Sequence, residues 1–412
     1  MRIAVYWESE LWGGSDSHLL TLLKNWPDQN DRFTILYNRN NQGHERISED
    51  LQNLKYVKSV AFSPVFDIVA KHNFINNFVA KFRKILNYMA KPYFFWKMVR
   101  KCRKLLVEHG PFDGVLADNG GYPAAWGALA AIIAAKQINL PKRLLLIHHA
   151  ATKPGIYTWE IFEHFVDRMI CRSATDLVAV SQATRQTLID YRWFNTTINP
   201  IRVIYNGIDL QDSGKLGSAP ESMNLRQVFS LGDSIIVGIV GRIERVKGHE
   251  DLIAGFALLS KEYQQKMKLL IIGSGDSGEI ERLKKLANYL KVQNFLLFTG
   301  YLPGSSQTII VQLNLLVVMA KDFEGFGLSI GEAMSVGTPV LATRVGAIPE
   351  IMNERVGSLV CPESPYEICD ALVTFVENRE ISKQKAVLAK QHIRKFSAER
   401  MAKQFHMLFA SK

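Results

Sequence analysis

Strands and helices alternate from one end of this 412-residue chain to the other, and this alternation restricts the possible folds more than any other feature. Short apolar runs are separated by longer segments with helical spacing, a pattern typical of parallel sheets with helices on both faces. The predicted strands read RIAVYW, FTILYN, GVLAD, RLLLIHH, DLVAVS, RVIYNG, IIVGIVGR, KLLIIGSG, FLLFTG, LNLLVVMA and PVLATRVG.

A polar segment divides this pattern into two halves. Residues 211–224, QDSGKLGSAPESMN, are rich in Gly, Ser and Pro and are predicted to form a linker. The chain is too long for one ordinary core, so two domains are expected. We predict two doubly wound α/β domains that bind ligands at the carboxyl ends of their strands.

The composition excludes several classes of protein. Apolar content of 47% and charged content of 22% are those of a folded globular chain. The apolar run at 120–135 is too short for a membrane helix and favours a helix packed on a sheet. Glu8 and Glu10 follow MRIAVYW at once, which indicates a first strand and no signal peptide. Four scattered cysteines predict neither a disulfide framework nor a zinc site. We therefore expect a cytoplasmic protein.

Residues 71–104 concentrate the net charge of +11, because they hold ten lysines and arginines and no acidic residue. Apolar side chains follow a helical period at Phe74, Phe78, Phe82, Ile85 and Met89. Two interpretations stay open. The segment either contacts an anionic inner-membrane surface or forms an ordinary domain helix with its apolar stripe in the core. Nucleic acid is the poorer partner, since no base-reading module is recognisable.

Two carboxylates, Glu324 and Glu332, stand eight residues apart around a glycine-rich turn. Helix formers run from Leu328 to Val336, and Gly337 follows as a helix stop. Glu324 therefore precedes a helix and Glu332 lies within it. The N–H groups at the start of that helix offer an anion site. Together with two carboxylates, they suit a phosphorylated ligand that is rich in hydroxyls.

The stretch 322–350, DFEGFGLSIGEAMSVGTPVLATRVGAIPE, resembles the E-x7-E signature of retaining GT-B glycosyltransferases of the family-4 type, the glycosyl transferases group 1. This resemblance implies the GT-B fold, in which two Rossmann-like domains face a central cleft. It implies an acceptor-side domain at 1–210, a nucleotide-sugar domain at 211–390, and a C-terminal helix at 391–412 that returns to the first domain.

The resemblance also assigns roles at the donor site. It implies that Glu332 binds the ribose of the nucleotide and that Glu324 binds the donor sugar. The other predicted donor-binding positions around the helix start are Phe326, Gly327, Leu328 and Ser329, of which the last three would offer their backbone N–H groups.

The segment GRIERVKGHEDLI resembles the G-R-x4-K-G segment of the same family. Gly241 ends a predicted strand, and Arg242 and Lys247 follow where a diphosphate would lie. The resemblance implies that both cations stabilise the departing nucleoside diphosphate. Taken alone, the segment is a charged loop. No D-x-D metal motif stands at a strand end, so we expect no metal and no cofactor beyond the nucleotide-sugar.

Two positions in the first half complete the predicted site. Gly13 and Gly14 lie in a glycine loop after the first strand, where the family pattern G-G-x-E is changed by Asp16. His148 ends the strand LLLI, and the resemblance implies that it lines the donor-sugar face. His149 leaves a shift of one place open.

A further glycine motif at 273–278, GSGDSG, satisfies the dinucleotide fingerprint G-x-G-x-x-G. That fingerprint requires an acid at the end of the next strand, and here this strand ends in Thr299 and Gly300. The dinucleotide interpretation is therefore disfavoured. In the family that this chain resembles, a G-x-G stands here as a turn near the nucleotide, and we interpret GSG in the same way.

The reaction implied is the transfer of a sugar, with anomeric retention, from a nucleotide diphosphate donor to an acceptor hydroxyl. We expect a glycan or lipid-linked acceptor in bacterial cell-surface glycan synthesis, such as lipopolysaccharide, O-antigen or capsule. Two alternatives stay open: a nucleotide-sugar epimerase on the same scaffold, and a non-catalytic carbohydrate- or lipid-binding protein.

Overall fold

The computed structural model describes residues 1–9, 13–63, 77–155, 158–194, 197–210 and 223–411. The chain divides into two compact units. Unit 1 comprises Met1–Tyr205 and Met401–Lys412, and unit 2 comprises Asn206–Arg400. Most of the predicted linker lies outside the described residues.

Unit 1 is built on a seven-stranded parallel sheet with the order β3-β2-β1-β4-β5-β6-β7. Its strands are β1 Arg2–Trp7, β2 Arg32–Asn38, β3 Val57–Phe62, β4 Gly114–Asn119, β5 Lys142–Ile147, β6 Asp176–Ala179 and β7 Ile201–Val203. Its helices are α1 Gly14–Lys24, α2 Gln42–Asn53, α3 Asn77–His109, α4 Trp126–Gln137, α5 Thr158–Ser173 and α6 Gln182–Tyr191. The central strands are buried on both faces, as parallel strands between helix layers must be.

Unit 2 is built on a six-stranded parallel sheet with the order β10-β9-β8-β11-β12-β13. Its strands are β8 Ile235–Val240, β9 Met267–Ile272, β10 Leu296–Gly300, β11 Leu315–Val318, β12 Val340–Thr343 and β13 Ser358–Val360. The helices from this point on are α7 Leu225–Val228, α8 His249–Ala257, α9 Lys261–Lys266, α10 Ser277–Tyr289, α11 Ser306–Ile310, α12 Leu328–Val336, α13 Ile348–Ile351, α14 Pro365–Glu377, α15 Arg379–His392 and α16 Ala398–Ala410.

Each sheet has one switch point, where the strand order reverses. In unit 1 it lies between β1 and β4, and in unit 2 it lies between β8 and β11. Crevices at the carboxyl ends of such strands are where doubly wound sheets bind ligands. The predicted glycine loop follows β1, Gly241 follows β8, and the loop that carries Glu324 follows β11.

The predicted strands are all present, and the structure adds β3 and β13 at sheet edges. The small-residue run before residue 135 forms α4, whose residues from Gly127 to Ala135 are all buried against the sheet. Among the described residues, no helix combines the length and apolarity that a bilayer crossing requires.

The basic segment 71–104 is described only in part. The side chains of Phe74, Phe78, Phe82, Ile85 and Met89 lie outside the described residues. In the part that follows, one face of α3 is core: Phe95, Met98, Val99 and Cys102 are buried, whereas Tyr93 is exposed. Lys97, Arg100 and Arg103 point to the exposed side. This half of α3 therefore packs one face in the core of unit 1 and presents basic residues on the other.

Candidate active site

The loop after β8 is fixed by close backbone approaches. A 3-10 turn, Arg245–Lys247, ends at Gly248, whose φ of +67° lies in the left-handed region. A Cβ added at Gly248 would lie 1.8 Å from the carbonyl oxygen of Met319. The N–H of Lys321 also donates to the carbonyl oxygen of Val246 at 2.9 Å. The turn that carries Lys247 is thus held against the end of β11.

Lys247 and Glu324 form an ion pair in which Nζ lies 2.7 Å from Oε2. The carbonyl oxygen of Glu324 accepts from the N–H of Ala347 at 2.9 Å, so its backbone is held too. Arg242 is more exposed, and its Nη1 lies 3.0 Å from Oε1 of Glu244. The structure therefore joins two of the predicted catalytic residues and leaves the Arg242 guanidinium at the surface of unit 2.

The helix start predicted from the sequence is present. Gly327 is the N-cap of α12, with a φ of +87°. The backbone hydrogen bonds of the helix begin with the N–H of Ile330, which donates to the carbonyl oxygen of Gly327 at 3.0 Å. The N–H groups of Leu328 and Ser329 precede that bond, as expected for a helix N-terminus that can hold an anion. The Phe326 side chain is buried against Phe396, so Phe326 would meet a ligand through its backbone.

Glu332 lies in the middle of α12 and is half-buried. Burial raises the pKa of its carboxyl, a hydrogen bond with Ser306 lowers it, and the negative charge of Asp209 raises it again. A carboxylate in this setting gains from hydroxyl donors, because they compensate its lost hydration. This environment fits the ribose-binding role that is predicted for Glu332.

The GSG motif has a structural explanation. A Cβ at Gly273 would lie 1.8 Å from the carbonyl oxygen of Gly241, and one at Gly275 would lie 2.4 Å from that of Ile243. The glycines therefore let the loop after β9 pack directly on the loop after β8. They support the Arg242 loop and need no dinucleotide.

In unit 1, the glycine loop opens α1. Gly13 is the N-cap, and its N–H donates to Oδ2 of Asp16 at 2.6 Å. Oδ1 of Asp16 accepts from the Trp7 indole at 2.9 Å. Asp16 is fully buried, and burial raises the pKa of its carboxyl to about 6. Asp16, which replaces the Glu of the family pattern, therefore still supplies a carboxylate that caps the start of α1. Gly14 is the first residue of that helix.

His148 lies directly after β5 and faces a buried group of ionisable side chains. Its Nε2 lies 2.8 Å from Oδ1 of Asp118, which is on the neighbouring strand β4. The His18 ring packs edge-on against it, with centroids 4.7 Å apart. His149, by contrast, is exposed. Sequence reasoning missed Asp118 and His18; the acid at the end of GVLAD was the available signal for Asp118.

One group in the described part of the chain could hold a metal, formed by Asp28, Asp31 and His406. Asp31 precedes β2, so the group lies at the amino ends of the strands, away from His148. The Oδ2 atom of Asp31 already accepts from the Trp26 indole at 2.8 Å, and the Oδ1 atom of Asp31 pairs with the N-terminal amine. The group therefore has a structural explanation.

Two family models match the two units in turn. Residues 12–212 match the model described as Glycosyltransferase Family 4, and residues 223–392 match the one described as Glycosyl transferases group 1. The chain belongs to this glycosyltransferase family. The switch-point residues described above fall inside these two matches.

Relatives and solved structures agree with this assignment. An uncharacterized glycosyltransferase of Methanocaldococcus jannaschii is 24% identical over 96% of this chain and 94% of its own length. A D-inositol 3-phosphate glycosyltransferase of Corynebacterium jeikeium is 28% identical over 59% of each chain. The crystal structure of Anabaena HepE in complex with UDP and glucose covers 100% of both chains at 20% identity, with a TM-score of 0.74. The lipopolysaccharide outer core galactosyltransferase WaaB superposes with a TM-score of 0.61 at 17% identity, covering 100% of this chain and 99% of its own.

The fold is therefore GT-B, with two parallel Rossmann-like sheets. As a member of family 4, the protein is a retaining glycosyltransferase that uses a nucleotide-sugar donor.

Proposed function

We propose that this glycosyltransferase transfers a hexose from UDP-hexose to a hydroxyl of a lipid-linked or surface glycan, in bacterial cell-surface glycan synthesis. The uracil base and the hexose are supported by HepE, whose structures contain UDP with glucose and UDP-glucose. The acceptor class is supported by WaaB, a lipopolysaccharide outer core galactosyltransferase.

The observation that carries the proposal is the Lys247–Glu324 pair in unit 2. The pair places an ammonium beside a carboxylate, near the start of α12. The ammonium suits the negative diphosphate of a nucleotide-sugar, and the carboxylate suits its hydroxyl groups. The diphosphate is bound by the side chains of Lys247 and Arg242 and by the N–H groups of Leu328 and Ser329. The sugar hydroxyls donate to Glu324, and the ribose hydroxyls donate to Glu332.

The chemical step breaks the bond between the sugar anomeric carbon and the β-phosphate oxygen. The acceptor oxygen forms its new bond on the same face, and its proton passes to the leaving phosphate oxygen. Negative charge grows on the diphosphate as the bond breaks, so Lys247 and Arg242 bind the transition state more strongly than the ground state. We assign His148, Gly13 and Gly14 to the sugar-facing side of unit 1.

The test combines binding and turnover. The intact protein is heated with UDP, GDP and their hexose conjugates, and release of UDP from each conjugate is followed without acceptor. We expect UDP to raise the unfolding temperature and one UDP-hexose to be hydrolysed slowly. A sugar epimer formed without UDP release would indicate the epimerase alternative. No stabilisation by any nucleotide would indicate the non-catalytic alternative.

A further inference from the structure

Helix α5 carries an exposed stripe of apolar and basic side chains. Ile161 and Phe165 are 71% and 49% exposed, and Arg168 and Arg172 are exposed at the next positions of the same face. We call these four residues the α5 stripe. The opposite face of α5, with Val166, Asp167 and Ile170, is buried.

Trp193, in the loop after α6, extends the α5 stripe. Its side chain is 55% exposed and lies against two residues of α5. Its ring centroid is 3.7 Å from that of His164 and 5.6 Å from the Arg168 guanidinium. A little further along, Lys153 Nζ lies 5.4 Å from the centroid of the exposed Tyr191 ring. Aromatic and cationic groups therefore alternate across the surface.

This surface is held rigidly from beneath. The preceding residue, Arg192, is buried and binds Asp167 through Nε at 3.1 Å and Nη2 at 3.0 Å. Its Nη1 donates to Glu163 at 2.6 Å and to the carbonyl oxygen of Thr152 at 3.3 Å. Thr152 belongs to the segment that follows β5 and His148. The α5 stripe and Trp193 are thus anchored at the carboxyl edge of the sheet of unit 1, where His148 lies.

We propose that the α5 stripe and Trp193 form a surface that rests on an anionic lipid bilayer. Trp and Tyr prefer the membrane–water interface, and Arg and Lys beside them attract anionic headgroups. The α5 stripe itself contains no acid. Two acids lie beside it: Glu160 Oε1 is 3.5 Å from His164 Nε2, and Asp190, next to Tyr191, accepts from the Gln186 amide at 2.7 Å. The described half of α3 buries Phe95 and exposes Tyr93, whereas α5 and the residue packed on it expose both Phe165 and Trp193. We therefore take α5 as the better candidate for contact. The inference rests on the proposed function, since contact with the bilayer would bring the enzyme to a lipid-linked acceptor.

The test measures co-sedimentation of the full chain with phosphatidylcholine vesicles, with and without phosphatidylglycerol. Two double variants separate the contributions: Phe165→Ser with Trp193→Ser removes apolar contact, and Lys153→Gln with Arg168→Gln removes charge. The matched control is Tyr289→Ser with Tyr366→Ser, because these aromatics of unit 2 are also well exposed. Unfolding temperature and UDP binding are recorded for each variant.

Wild type and control should bind anionic vesicles at low salt. The apolar variant should lose about ten-fold or more in partitioning, and the charge variant, which keeps Arg172, should show weaker binding with a smaller salt dependence than wild type. Wild type that stays in the supernatant overturns the proposal, as does a Phe165/Trp193 variant that binds like wild type. So does a wild type that self-associates through these residues, which would make a second copy the occupant. Failure of UDP binding would refute the proposed function and would leave the vesicle result standing.

Discussion

Lys247 Nζ lies 2.7 Å from Glu324 Oε2, although the two residues are 77 positions apart in the sequence. The Lys247 side chain is 29% exposed, and that of Glu324 is 14% exposed. Pairs that retain contact with water contribute only about 0–1 kcal/mol to stability. Stability alone therefore does not explain the pair, whereas a nucleotide-sugar would engage both groups at once.

Replacing Lys247 by Ala should lower kcat by about 10²-fold or more, since the ammonium would stabilise leaving-group charge. Affinity for UDP should change much less. The measurement is steady-state turnover together with calorimetric UDP binding. Arg245→Ala, which removes a neighbouring exposed cation, is the matched control and should stay near wild type. Turnover that is unaffected by Lys247→Ala would exclude the diphosphate role.

Chelation is the companion experiment. Because Lys247 and Arg242 would supply the positive charge, transferase activity should persist in EDTA. Rates are compared with EDTA, without additive, and with added Mg²⁺. A strict requirement for the ion would contradict this assignment of charge.

Replacing Glu332 by Ala should cost about 1.5–3 kcal/mol of nucleotide binding, the range for hydrogen bonds to a charged group. Burial raises the pKa of Glu332, so the protonated fraction grows as pH falls from neutral. Affinity in the wild type should weaken in that direction, and a Glu332→Gln variant should lack this pH dependence. Calorimetry at several pH values decides it, with exposed Glu354→Ala as the control. Equal affinities in all variants would remove the ribose role.

Much of this arrangement was predictable from local pattern. The buried parallel strands have continuous apolar runs, and α12 has a glycine at each end, so both could be read directly. Edge strand β3 could not be predicted, because its residues, VKSVAF, are mostly exposed and the polar ones among them obscure the strand pattern. The three residues of β13 are too few to show a period.

Contacts between distant segments were not predictable. The 2.8 Å approach of His148 and Asp118 depends on β4 and β5 being neighbours, which the order of strands in the sequence suggests but does not position. Trp193 has no local pattern that marks it as exposed. Its position follows from the buried Arg192 network, which joins three separate segments.

The Arg192 network should be important for folding. Arg192→Met leaves the carboxylates of Asp167 and Glu163 buried without their cation, and Tyr122 donates to Asp167 at the same place. Loss of one partner of a buried ion pair typically costs about 3–5 kcal/mol. Urea denaturation should show that loss. For comparison, Arg344→Met breaks an exposed pair with Glu354 and should cost less than about 1 kcal/mol.

Asp16 should give the stability a distinct pH dependence. Its pKa is about 6 in the folded protein against a reference value of 3.8, so folding favours its protonated form. Stability from this group is therefore present below about pH 4 and is lost as pH rises to about 6, by about 3 kcal/mol at most. Denaturation of Asp16→Asn and wild type across this interval should show a flatter profile for the variant. The exposed Asp50→Asn should follow the wild type, and identical profiles for all three would contradict the assignment.

The position of Lys247 should depend on Gly248. Gly248→Ala meets two obstacles: a φ of +67°, and a Cβ 1.8 Å from the Met319 carbonyl oxygen. Gly232→Ala is the matched control, because its φ is +52° but its Cβ would have nothing within 4 Å. The control isolates the backbone cost, about 1–2 kcal/mol. Gly248→Ala must also push the 3-10 turn away from β11, which moves the Lys247 ammonium. We expect it to lose more stability than the control and to lower kcat, whereas Gly232→Ala should leave kcat unchanged. Equal kcat values in the two variants would show that the approach of the turn to β11 does not position Lys247 for catalysis.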